Sequence, residues 1–150
     1  VSPDLEVLTL LMAEDDDDDF MLAHKAFLKT GTQHKLRRVV NGEDLLDYLE
    51  RRGIYASSSA SDQPCFILLD LNMPRKDGRE ALRDIKAHPR FKKIPVIVFT
   101  TSESEEDVAI AYSLGANAFI RKPVNFEELV GVMKSLMDYW LGPVILPGDA

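Results

Sequence analysis

The chain has 150 residues, 45% of them apolar and 29% charged, with a formal net charge of −7. That length suits one domain able to bury its own core. The run Glu14 to Asp19 carries most of the charge, since without it the net is about −1, and an acidic surface of this kind disfavours non-specific nucleic-acid binding. Cys65 is the single cysteine, which excludes an internal disulfide and a cysteine-based zinc cluster. No apolar run reaches membrane-spanning length, and "VSPDLEV" lacks a basic-then-apolar signal pattern, so a cytoplasmic chain is expected although it does not begin with Met.

Apolar runs and helical patterns alternate five times. "EVLTLLMA" reads as a first strand, and Phe20, Ala23 and Phe27 then fall at helical spacing until Gly31 offers a stop. "KLRRVV" is a second strand, and "GEDLLDYLERRG" a helix with Leu45, Leu46 and Leu49 inward. The polar "YASSSASDQP" is a loop. "CFILLD" lacks alternation, as a strand buried on both faces should. "REALRDIKAH" is a helix stopped by Pro89, and "PVIVFTT" is a second buried strand. "SEEDVAIAYSLG" is a helix with Ser104 as N-cap and Gly115 at its end. "NAFIRKP" is the fifth strand, and from Phe126 to Leu141 the positions 126, 129, 130, 133, 137, 140 and 141 trace one apolar helical stripe.

Such alternation implies an α/β domain, a parallel sheet with helices on both faces. The core should cover residues 5–141, with 142–150 as a C-terminal tail of the same single domain. Ligands of open parallel sheets sit at the carboxyl ends of strands, near a topological switch point. Strand one ends at Glu14 and Asp15, strand three at Asp70, strand four at Thr100 and Thr101, and strand five at Lys122 and Pro123. Crowded carboxylates resist ionising together unless a cation relieves them, and hard oxygen ligands suit Mg²⁺. A lysine and a hydroxyl opposite them complete a phosphoryl site. The residues alone point to magnesium-assisted phosphoryl chemistry, with Asp70 best placed as nucleophile.

These motifs carry a family resemblance. Glu14-Asp15, "LLDLNMPRKDG" around Asp70, "VFTTS" at Thr100 and "LGANAFIRKP" through Lys122 occur in order, and the chain resembles the CheY-like receiver domain of two-component response regulators. That resemblance implies a doubly wound (βα)5, flavodoxin-like fold with a five-stranded parallel sheet in the order 2-1-3-4-5. It implies that Asp70 accepts a phosphoryl group from a phosphohistidine on a sensor histidine kinase. Asp15 would bind Mg²⁺ directly, Glu14 through water, and Asn72 through its backbone carbonyl, with Asp70 itself in the metal's shell. Lys122 would pair with phosphoryl oxygens and Thr100 would bond one of them on activation. Pro74 and Gly78 would shape the intervening loop, and the Lys122–Pro123 bond is a candidate cis peptide. Phe119 takes the family's aromatic switch position without a hydroxyl, Thr101 stands where smaller residues are common, and Glu14 replaces a more frequent Asp. With "DYWLGPVILPG" at its end, the chain also resembles the small response regulators that serve cyanobacterial phytochromes.

Other readings fare less well. No glycine stands at the sixth position an EF-hand needs, and no GxGxxG or GxxxxGK loop exists for a nucleotide. A haloacid-dehalogenase-type phosphatase would carry its Asp-x-Asp on the first strand. His24, His34 and His88 lack ligand spacing, and Cys65 reads as a small core residue. Within the aspartate run, Asp16 is the expected N-cap, and Asp17 to Asp19 fill the first helical turn. The apolar tail between Trp140 and Pro147 should be covered, either by its own domain or by a second copy. The second case is a homodimer through the fourth and fifth helices, the fifth strand and the tail. With nine residues after Leu141, output is expected through a partner, dimerisation or use as a phosphate sink. Two rivals remain at this level, a small Mg²⁺-dependent phosphatase and a receiver-shaped interaction module that is never phosphorylated.

Overall fold

The computed structural model describes residues 7–57 and 63–147; residues 1–6, 58–62 in the Ser-rich loop and 148–150 lie outside that range. Five strands, β1 (Thr9–Ala13), β2 (Lys35–Val39), β3 (Pro64–Leu69), β4 (Val96–Thr100) and β5 (Ala118–Arg121), alternate with five helices. The helices are α1 (Asp17–Lys29), α2 (Gly42–Glu50), α3 (Gly78–Ala87), α4 (Glu105–Ser113) and α5 (Phe126–Trp140). All strand pairs are parallel, in the order β2-β1-β3-β4-β5. The doubly wound, flavodoxin-like order implied by the family resemblance is the one observed.

The period-2 geometry of the strands divides the core into two layers. Leu11, Ala13, Ile67, Leu69, Val96 and Val98 point to one face, where Leu45, Tyr48 and Leu49 of α2 and Ala81, Leu82 and Ile85 of α3 cover them. Leu10, Met12, Phe66, Leu68, Ile97 and Phe99 point to the other, against Ala23 and Phe27 of α1 and Leu129, Met133, Leu136 and Met137 of α5. The unbroken apolar runs of β1, β3 and β4 follow directly, because both faces are buried. In α5 the inward stripe is 129, 133, 136 and 137, whereas Phe126, expected inward, opens the helix and is 37% exposed.

Each of the five α-helices begins with a side-chain cap. Asp16, Asn41, Asp77, Ser104 and Asn125 each accept the N–H three residues on, satisfying an amide that has no helical partner. Gly31 and Gly115 follow α1 and α4 at φ +78 and +106, a region glycine enters without a Cβ penalty. Among the described residues every peptide bond is trans. The expected cis Lys122–Pro123 bond is therefore corrected to trans, the isomer favoured by about 0.5–1 kcal/mol for X–Pro.

The histidines have structural contacts, and Cys65 is partly buried against the α1/α5 layer. His24 stacks on Phe20, His88 stacks on Phe91 with centroids 4.0 Å apart, and Nδ1 of His34 accepts the Leu8 N–H. Burial pushes the Cys65 thiol up to about 12, which leaves it little thiolate at neutral pH. No helix among the described residues is long and apolar enough to cross a membrane. In the tail, Ile145 is 94% exposed, while Trp140 and Leu141 pack on the α1/α5 layer.

Candidate functional site

The ends of β1, β3, β4 and β5 stand level because the register aligns them. Ala13 faces both Val39 and Leu69, the Asp70 N–H donates to the Ala13 carbonyl at 3.2 Å, and the Lys122 N–H donates to the Thr100 carbonyl at 2.7 Å. Glu14, Asp70, Thr100 and Lys122 are thereby gathered at the point where the strand order reverses direction. The loop after Asp70 folds back under the start of α3, with the Gly78 N–H donating to the Leu71 carbonyl at 2.9 Å. That closeness requires glycine, since a Cβ at 78 would lie 2.2 Å from the Asp70 carbonyl oxygen.

Asp70 is 8% exposed and its carboxylate is held from three sides. Oδ1 accepts the Thr100 hydroxyl at 3.0 Å and the Asn72 N–H at 3.2 Å, and Oδ2 accepts Lys122 Nζ at 3.2 Å. Lys122 Nζ also donates to Glu14 Oε1 and, at 3.3 Å, to Asp19 Oδ2. Burial works against the Lys122 charge, but the Glu14 hydrogen bond and the Asp70 and Glu14 charges outweigh it and raise its pKa. Glu14 is buried, and burial pushes its carboxyl up to about 7; the Lys122 hydrogen bond opposes this and the Asp70 charge reinforces it.

Glu14, Asp15 and Asp70 each offer an oxygen within 4.8 Å of the others. One lysine among these three carboxylates and Asp19 leaves an excess of negative charge in a site that already resists ionisation at Glu14. A hard divalent cation on all-oxygen donors fits this set.

The six consecutive acids separate by partner. Glu14 meets Lys122, and its Oε2 accepts the Asp16 N–H at 3.2 Å. Asp15 is the exposed member of the oxygen cluster, Asp16 caps α1, Asp17 pairs with Arg38 at 2.8 Å, Asp18 is exposed, and Asp19 reaches Lys122. Arg38 also donates from Nε to the Glu14 carbonyl at 2.9 Å and lies over the Phe20 ring, bracing the turn from outside. Asp19 and Arg38 were not singled out from the sequence. The available signals were the place of Asp19 at the third position of α1, where an acid turns back toward the helix start, and the place of Arg38 on the strand next to β1.

The remaining expected residues are placed as follows. Thr100 is fully buried, while Thr101 is exposed. Phe119 is partly buried against the α2/α3 layer, and Asn72 is exposed on the loop. Beyond Thr100 the β4–α4 loop is tied down: Ser102 Oγ donates to Asp107 Oδ2 at 2.6 Å and Arg79 Nη2 donates to Asp107 Oδ1 at 2.8 Å. These bonds, the serine's first, hold the Asp107 carboxyl below the usual carboxylate value.

A family model described as the response regulator receiver domain matches residues 11–134. The chain belongs to that family. This receiver is 40% identical over 139 residues to the response regulator Rcp1 of Synechocystis sp., covering 92% of each chain. The Mn²⁺-bound form of Rcp1 superposes with a TM-score of 0.83 at 36% identity, over 94% of this receiver and 99% of that chain. The phosphorylated cyanobacterial phytochrome response regulator RcpA gives 0.86 at 37% identity, over 95% and 99%. A response regulator in red light signaling of R. palustris gives 0.89 at 36% identity, over 95% and 100%.

Proposed function

We propose that this receiver takes a phosphoryl group onto Asp70 from a phosphohistidine of a sensor histidine kinase of the phytochrome type. One observation carries the assignment: the Asp70 carboxylate sits where a lysine, a buried hydroxyl and two further carboxylates converge. An Asp70 oxygen forms the new P–O bond as the P–N bond to the imidazole breaks, and the departing imidazole keeps that electron pair. A carboxylate nucleophile needs no general base, so positioning and charge neutralisation suffice. Lys122 stands where it can pair with a phosphoryl oxygen, and the Thr100 hydroxyl can exchange its Asp70 bond for one to the phosphoryl group. Motion of Thr100 then pulls on the β4–α4 loop, and Phe119 lies next to that path on β5.

Asp15, Glu14, Asp70 and the Asn72 backbone carbonyl would hold Mg²⁺. When bound, the ion neutralises the charge that builds on the phosphoryl oxygens. The Mn²⁺-bound form of Rcp1 and the phytochrome assignment of RcpA support the metal and the kinase class. The receiver acts as a stoichiometric signalling protein rather than a phosphatase. We further infer a homodimer through α4, β5, α5 and the tail. An apolar groove of about 510 Å³ between Ile120, Val132, Leu136, Tyr139 and Trp140, with Ile145 exposed, supports that face. A sedimentation result of monomer at tens of micromolar overturns the dimer.

Incubation with a small phosphodonor and Mg²⁺ followed by intact mass tests the assignment. Wild type should gain one phosphoryl group and Asp70→Asn none. No gain in wild type, an unchanged gain in the variant, or sustained turnover of a free phosphomonoester would each overturn it.

A further inference from the structure

Lys122 Nζ has three carboxylate partners, and two of them, Glu14 and Asp70, belong to the oxygen cluster that suits a cation. Asp19 is the third and lies outside that cluster. Its geometry is specific. At the third position of α1, an acid commonly turns back to bond the N-cap N–H. Here the Asp16 N–H is already taken by Glu14 Oε2, so the Asp19 carboxylate is left to reach across to Lys122 at 3.3 Å. The lysine is only 10% exposed, whereas Asp19 is 44% exposed, so the pair joins the site floor to its rim.

Glu14 and Asp70 would hold a cation, which would leave Asp19 as the Lys122 partner not shared with it. A phosphoryl group on Asp70 must then compete with Asp19 for the same ammonium. We propose that Asp19 is a positioning residue, a tether that holds Lys122 toward α1 in the unphosphorylated receiver and sets how readily Lys122 engages the phosphoryl group. This rests on the assignment of Asp70 as acceptor. Part-exposed ion pairs of this kind are modest, so the tether is worth about a two- to fivefold change in affinity for a phosphoryl mimic.

The test is equilibrium binding of beryllofluoride, a mimic of the phosphoryl group on a carboxylate, at saturating Mg²⁺. Asp19→Asn should bind it about two- to fivefold tighter than wild type, because Lys122 is released. Asp19→Glu retains the charge within reach of Lys122 and should restore wild-type affinity. Asp18→Asn removes the same charge from the neighbouring exposed position and should stay near wild type. The tether is refuted if Asp19→Asn binds with unchanged or weaker affinity, if Asp18→Asn matches its gain, or if Asp19→Glu binds as tightly as Asp19→Asn. Failure of the underlying assignment looks different: wild type takes up no beryllofluoride, or Asp70→Asn takes it up.

Discussion

Replacing Gly78 with alanine adds one methyl carbon in a place the fold leaves no room for. Its Cβ would stand 2.2 Å from the Asp70 carbonyl oxygen, 2.6 Å from Leu71 Cα and 3.0 Å from the Asp70 carbonyl carbon. Optimal carbon contacts lie at about 3.5–4.0 Å, so relief requires main-chain movement of roughly 1 Å. Neither side yields easily. The Asp70 N–H is bonded to Ala13, Leu71 is fully buried, and Gly78 is bonded back to Leu71. Overpacking of this kind costs about 1–3 kcal/mol. A shift of roughly 1 Å in a reacting group costs on the order of 100-fold in rate. Gly131→Ala is the matched control, because no atom beyond its chain neighbours and its own helix backbone lies within 4 Å of a Cβ there and the site is an exposed position inside α5. That variant should gain about 0.5–1 kcal/mol from the reduced freedom of the unfolded chain and the better helix propensity. Denaturant midpoints and the time course of labelling by a small phosphodonor read both. Wild-type labelling and a wild-type midpoint in Gly78→Ala would refute the steric reasoning, and so would a loss of stability in Gly131→Ala.

Three further outcomes are expected. Asp15→Asn should weaken Mg²⁺ binding sharply while Asp18→Asn barely alters it, as read by metal titration; equal effects would show that the run acts only through bulk charge. Asp107 has a folded-state pKa below its ordinary 3.8, so its contribution is present above that value and lost as pH falls through the folded pKa. Asp107→Asn should therefore narrow its stability gap to wild type at the acid end of a denaturation series, and a gap that widens there contradicts the assignment. Thr100→Val preserves shape but removes a buried donor to a carboxylate, which should lower stability by roughly 1–3 kcal/mol; a raised unfolding midpoint would show that the hydroxyl is not stabilising the resting state.

Much of this was legible along the chain. Strand-ending residues announced the site, because a parallel sheet covered on both faces exposes chemistry only at its strand ends. Asp16 and Ser104 were readable as caps from local propensity alone. Asp19 was not separable from Asp18, since both sit in the first turn of one helix and only direction distinguishes them. Gly78 was marked by the resemblance as a loop-shaping residue, but only the fold shows that a Cβ there would meet backbone while one at Gly131 would meet nothing beyond its own helix backbone. Phe126 continues the apolar stripe on paper but lies at the helix end, where the stripe is only partly covered.

The sequence by itself determined the alternation of strands and helices, the helix caps and which side chains end the strands, because these depend on periodicity and on short-range hydrogen bonding. The tertiary structure alone decided how the charges are shared. Lys122 meets Glu14 across 108 residues and Asp19 across 103, and Arg79 reaches Asp107 from another helix. Such pairings depend on register and on the direction of each Cα–Cβ bond, which a linear pattern does not encode. The six acids are neighbours in the chain. In the fold they belong to a lysine, a cation cluster, a helix cap, an arginine and the solvent.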